Sequence, residues 1–177
     1  MNTANKRLKK ILLTLAATLA VATIGGLAVW TAVCPCERTP GFMLLGDVQE
    51  EPVQDWSFAN DVPLCQLQVY AGGWRPHSIN LNCMASPEGD LFLSCSGCTR
   101  KYWAAQVGTD EPARLRLNDD IYPVLVNRVT NPATLDQAWI ARVTKLQTHG
   151  GGAYNPTPDS IAPRPDHWWS FHLVSAN

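Results

Sequence analysis

Cys95-Ser96-Gly97-Cys98 sets two thiols three positions apart, at the end of an apolar run and just ahead of a segment with helix-forming residues. Free amides at a helix start stabilise a thiolate, so this spacing suits thiol–disulfide exchange. The flanking segments alternate like strands of hairpins, however, and lack the strand–helix–strand unit of thioredoxin-like motifs. A small structural bridge between Cys95 and Cys98 is therefore the expectation, with exchange as an alternative. Covalent haem attachment requires histidine at the next position, where Thr99 stands. A four-cysteine zinc site requires two pairs with ligand spacing, and only this pair has it. His77, His149, His167 and His172 show no ligand spacing of their own. The remaining cysteines are Cys34, Cys36, Cys65 and Cys83. A hairpin centred near Trp74 sets Cys65 across from Cys83 and predicts a cross-strand disulfide there. Cys34-Pro35-Cys36 is too tight to close comfortably on itself.

Disulfides imply an oxidising compartment, and the N-terminus supplies one. Residues 11–33 carry no charge and follow Lys6, Arg7, Lys9 and Lys10. At about 1.5 Å of rise per residue, a helix of that length covers roughly the 30 Å hydrocarbon core. The basic tail holds the N-terminus inside under the positive-inside rule. A cleaved signal peptide would have a shorter apolar core and a small-residue cleavage site, which the stretch around Trp30–Cys34 lacks. The expected organisation is a cytoplasmic basic tail (1–10), a transmembrane anchor (11–33), a juxtamembrane linker (34–54) with order where Phe42, Met43, Leu44 and Leu45 can pack, and an extracytoplasmic domain (55–177). The protein is accordingly expected in the cytoplasmic (inner) membrane as a single-pass chain with its C-terminal domain in the periplasm. Four of the fourteen Lys and Arg belong to the tail, so the exported part carries ten against fifteen Asp and Glu, a net charge of −5. That acidic balance, without a basic block, argues against nucleic acid as a partner.

The elements that must position these groups follow from periodicity. Alternation over 64–70, 77–85 and 90–95, separated by Gly72-Gly73 and by Pro87-Glu88-Gly89, predicts three antiparallel strands. Thr99 or Ser96 caps a short predicted helix through Val107. Segments 113–117 and 121–129 flank Asn118-Asp119-Asp120 as a second hairpin. Asn131-Pro132 starts a helix whose buried face carries Leu135, Ala138, Trp139, Val143 and Leu146. Residues 147–166, rich in Gly and Pro, form a long loop, and 167–175 a closing strand. The fold class is mainly β with two helices, an antiparallel sheet or barrel, plus the N-terminal transmembrane helix.

This order of elements resembles the split β-barrel of the pyridoxamine 5'-phosphate oxidase-like proteins and their flavin- and deazaflavin-binding reductase relatives. The resemblance covers Trp56 to about Leu146 and is carried by Arg75-Pro76-His77-Ser78-Ile79, Gly89-Asp90-Leu91-Phe92-Leu93, Arg100-Lys101-Tyr102-Trp103 and Ala113-Arg114-Leu115-Arg116-Leu117 followed by Ile121-Tyr122-Pro123. It implies a cofactor, FMN or a deazaflavin, whose phosphate is held by Arg75 and Ser78 at the start of the second strand and by Thr99, Arg100 and Lys101 after the third. Arg supplies a planar fork matched to phosphate oxygens, and a hydroxyl adds a neutral donor. Trp74 and Trp103 would wall the ring, and the Gly150–Pro165 loop would act as a lid. The cofactor would carry the hydride, so no catalytic acid or base is obligatory. Relatives of this fold commonly form homodimers and act on small-molecule substrates. Cys95 and Cys98 depart from the family at the approach to the phosphate, which keeps a cofactor-less binding or scaffold module of the same fold as the rival expectation.

Overall fold

The computed structural model describes residues 3–151 and 155–176. Its leading apolar run is helical from Thr3 to Val33 (α1), and Asn5–Val33 is long and apolar enough to cross a membrane. A helix of this kind at the N-terminus is an anchor or a signal sequence.

The strands are β1 (Asp47–Val48), β2 (Cys65–Ala71), β3 (Arg75–Ala85), β4 (Leu91–Ser96), β5 (Glu111–Leu117), β6 (Asp120–Arg128) and β7 (Trp168–Ser175), with helix α2 (Pro132–His149) before the last. Strands β6, β5, β2, β3, β4 and β7 lie side by side, and β7 returns to pair with β6, closing a six-stranded antiparallel barrel. β1 adds to the free edge of β6 in parallel. Period-2 alternation fills the barrel: Leu67, Val69, Leu93, Leu115, Val124, Val126 and Phe171 are fully buried. Trp56 and Ala59 of the connection into β2 join the same core.

Each β-hairpin turn has a chemical cause. Gly72 and Gly73 take positive φ between β2 and β3, and Asn118 does so between β5 and β6. The Asn131 side chain accepts from the Thr134 amide at 3.1 Å and Pro132 opens α2, as the sequence pattern requires. Outside the barrel, Ala138 and Ala141 of α2 pack on Met84 and Phe92.

Three expectations are corrected. The β2–β3 turn is centred on Gly73, so Cys65 faces Leu81 and Cys83 lies one diagonal step away; both are free buried thiols. The helix expected through Val107 is reduced to two 3-10 turns, Cys98–Arg100 and Trp103–Gln106, and neither Ser96 nor Thr99 caps them. Cys34 and Cys36 are bridged, across a cis Cys34–Pro35 peptide, with Cα atoms 4.4 Å apart.

Residues 34–54 lie against the barrel as a strap, with Leu44 packed as its apolar run leads one to expect. Gly41 exchanges two backbone hydrogen bonds with Ser78 on the edge of β3, at 2.8 and 3.1 Å. Buried Leu44 donates its amide to Gln68 Oε1 at 2.8 Å, and Arg116 donates to the Leu45 carbonyl at 2.8 Å. Gly46 passes so close to the Asp119 carbonyl that a Cβ there would collide with it. The chain therefore leaves α1 and is stitched across β3, β2, β5 and β6 before β1 pairs.

Candidate functional site

At one end of β3, the Arg75 guanidinium donates to the Tyr102 hydroxyl at 2.8 Å and lies 5.9 Å from the Tyr102 ring centre. Tyr102 follows directly on Thr99, Arg100 and Lys101, all exposed, in the turn after β4. Arg75 and Tyr102 thus make one rim, on which Tyr102 directly follows Lys101 in the chain. His77 stacks edge-on against Tyr102 with ring centres 5.0 Å apart. Burial, and then the charge of Arg75, hold its pKa below the ordinary imidazole value, so the histidine adds no charge to the rim near neutral pH.

Ser78 and Trp103 stand elsewhere. Alternation along β3 turns Ser78 to the face opposite Arg75 and His77, and the Gly41 pairing covers its edge. Its hydroxyl is buried with no hydrogen-bond partner among the described residues. Trp103 is part of the barrel core, with its ring 5.0 Å from Phe171. Trp74 is 77% exposed at the tip of the β2–β3 hairpin. The donor set thus suits an anion, but the hydroxyl and the aromatic wall taken from the family pattern are not on the rim. The segment expected as a lid is held over α2 by Trp139, whose indole donates to the Ala162 carbonyl at 2.9 Å, and by Arg164, 3.2 Å from Asp136. Its residues 152–154 lie outside the described residues.

Cys95 and Cys98 are bridged, with Cα atoms 5.8 Å apart and both residues buried. Gly97 takes the left-handed conformation that turns β4 back to close this loop. A bridge without solvent access serves structure better than exchange.

Sequence reasoning missed two cations on α2. Arg142 is buried, donates to Ser94 Oγ at 2.8 Å and covers the Trp168 ring at 4.1 Å. Burial lowers its pKa to about 10. Lys145 is 4% exposed; its ammonium donates to the Ala59 carbonyl at 2.7 Å, to the Cys83 carbonyl, and to Cys83 Sγ at 3.9 Å. Burial raises the Cys65 thiol, and its contact with Cys83 raises it further. Burial also opposes ionisation of Cys83, but the Cys65 thiol and the Lys145 charge outweigh it and lower that thiol. The helical spacing of Arg142 and Lys145 was the available signal, since both fall beside Ala138 and Ala141 on the buried face. A separate cavity of about 230 Å³ lies between Trp56, Asp90, Ser175 and His172, whose imidazole is 3.4 Å from the Asp90 carboxylate.

The sequence matches no protein-family model and no curated protein. Among solved structures, the chain is similar to HutZ, the heme storage protein from Vibrio cholerae, at 15% identity over 68% of this chain and 86% of that one, with a TM-score of 0.46. It is also similar to a NimC/NimA family protein from Clostridium acetobutylicum (14% identity, 67% and 75% covered, TM-score 0.43). A conserved hypothetical protein from Mycobacterium tuberculosis gives 13% identity, 74% and 86% coverage and a TM-score of 0.44. Likeness at this level carries nothing about ligand or activity, so the functional reading rests on this chain's own residues.

Proposed function

We propose that this chain is a single-pass protein of the cytoplasmic membrane whose periplasmic split barrel binds FMN or a deazaflavin by its phosphate and serves as an oxidoreductase. The observation that carries the reading is the Arg75–Tyr102 contact, which joins the start of β3 to the turn bearing Thr99, Arg100 and Lys101. Side-chain charges this exposed bind weakly one at a time, so the reading needs the three cations acting together on one polyanionic group. Arg75 and Arg100 offer planar forks, Lys101 a point charge and Thr99 a neutral donor, while Tyr102 orients Arg75. A bound flavin supplies the hydride chemistry. The protein's part is to fix the phosphate and leave the ring against the barrel for a small-molecule substrate. The basic first turns of α1, with Lys6, Arg7, Lys9 and Lys10, and the acidic remainder support the periplasmic orientation. A second copy of the chain is the macromolecular partner this reading implies.

A specific observation favours the rival, a cofactor-less module: the strap residue Gly41 occupies the β3 edge at Ser78 and seals that hydroxyl away. Absorption spectroscopy of the full chain in detergent separates the two. A visible band, native or gained after incubation with FMN or a deazaflavin, supports the oxidoreductase. A protein that stays colourless with both removes it and leaves the binding module.

A further inference from the structure

Cys65 and Cys83 are the two cysteines left open in a chain whose other four are bridged in adjacent pairs. Their register explains why. Cys65 faces Leu81, so Cys83 is its diagonal neighbour on the same inward face, where Cα atoms stand about 7–8 Å apart. A disulfide needs about 4.4–6.8 Å, which the two bridged pairs satisfy at 4.4 and 5.8 Å. The diagonal pair is too wide for a bridge without moving strands; the Cys65 thiol donates to the Leu81 carbonyl at 3.5 Å, and Cys83 Sγ lies 3.9 Å from the Lys145 ammonium. Both residues are fully buried.

Beside them sits a buried ammonium with no carboxylate in contact among the described residues. The three donors of Lys145 are taken by the Ala59 carbonyl, the Cys83 carbonyl and Cys83 Sγ. A buried charge without a counter-charge is costly, so this lysine makes a dry core hospitable to one net negative charge at the sulfurs. Among the described residues no group of three His, Cys, Asp or Glu surrounds the pair, which rules the pocket out for a four-coordinate divalent ion. Two soft sulfur ligands, with no cluster of three His, Cys, Asp or Glu among the described residues, and one adjacent cation fit a different occupant.

We propose that Cys65 and Cys83 form a two-coordinate site for a monovalent soft cation of the copper(I) class, with Lys145 balancing its charge. On loading, each sulfur binds as thiolate and any thiol proton leaves to solvent. Two thiolates, one monovalent cation and one ammonium then sum to zero charge inside the barrel. The pair is closed to solvent, so the metal enters as the barrel folds or opens. The site is independent of the rim and of any flavin.

The test uses the full chain in detergent with silver(I), a redox-inert probe that leaves the two disulfides closed. Wild type is expected to retain one silver per chain through gel filtration, measured by elemental analysis, and to unfold at a higher temperature when loaded. Cys65→Ser and Cys83→Ser each lose the retained metal while keeping the far-ultraviolet circular dichroism of the fold. Lys145→Met, which removes the charge and keeps the length, weakens silver binding at least tenfold. Copper(I) offered under ascorbate competes for the same single equivalent. Wild type retaining no silver, or a Cys65→Ser/Cys83→Ser variant retaining it, overturns the site. So does a Cys65–Cys83 disulfide found by mass spectrometry of the purified protein. Unchanged affinity in Lys145→Met overturns the charge-balancing role.

Discussion

Arg75 and Tyr102, 27 positions apart in sequence, meet through a 2.8 Å hydrogen bond that fastens the first residue of β3 to the turn following β4. Through it, Arg75 is tied to the segment that carries Arg100 and Lys101. A phenol that orients a guanidinium spares the ligand part of the cost of ordering it.

If the rim binds phosphate, Arg75→Ala removes a charge-assisted donor worth about 1.5–3 kcal/mol, and FMN affinity falls by roughly 10–100-fold. Tyr102→Phe leaves the charge and loses only the orienting bond, so its loss is the smaller of the two. Isothermal titration of both variants checks the order.

His77 reports the same neighbourhood through pH. Burial and Arg75 disfavour its protonated form, so its folded pKa lies below the unfolded value of about 6.5. As pH falls through that value the unfolded chain takes up the proton first. The group's contribution to stability is therefore complete above about pH 6.5 and is lost on acidification toward the folded pKa. NMR titration is expected to show the His77 pKa rising in Arg75→Ala.

The strap is held by close backbone approach, which tolerates no added carbon. Gly46→Ala puts a Cβ onto the Asp119 carbonyl and is expected to cost about 1–3 kcal/mol in urea denaturation, through displacement of β1 from β6. Added protease should then cut within residues 34–54 faster than in wild type.

Arg142 is a buried charge held by one hydroxyl and an indole ring, without a carboxylate in contact among the described residues. Replacing such a charge with an apolar group of similar size is often neutral or stabilising. Arg142→Met is expected to change stability by less than about 1 kcal/mol or to raise it, measured by thermal unfolding near neutral pH, where the arginine is fully charged.

Much of the barrel was legible because its cause is local. Alternation of Cys65, Leu67 and Val69 against Gln66 and Gln68 marks a strand with one buried face, and Gly72-Gly73 or Asn118 permits the turn that follows. What failed depended on long-range placement. A turn centred one residue away moved Cys83 from opposite Cys65 to its diagonal, since a one-residue shift of the centre displaces the register by two. Lys145 and Arg142 look like solvated helix residues until the barrel wall beneath them supplies carbonyls, a hydroxyl and a ring. In the linker 34–54 the packing of Leu44 was legible from its apolar run, while the backbone and glutamine contacts that hold it to the barrel leave no periodic trace. Trp103 was drawn to the rim by its neighbours Arg100 and Lys101, while its own bulk sent it into the core.

The most direct measurement compares FMN with riboflavin, which differ by the phosphate alone, in equilibrium binding to the full chain in detergent. The rim account predicts that FMN binds at least tenfold more tightly and that a triple replacement of Arg75, Arg100 and Lys101 by Ala erases the difference. Equal affinity for the two ligands, or no binding of either, contradicts it.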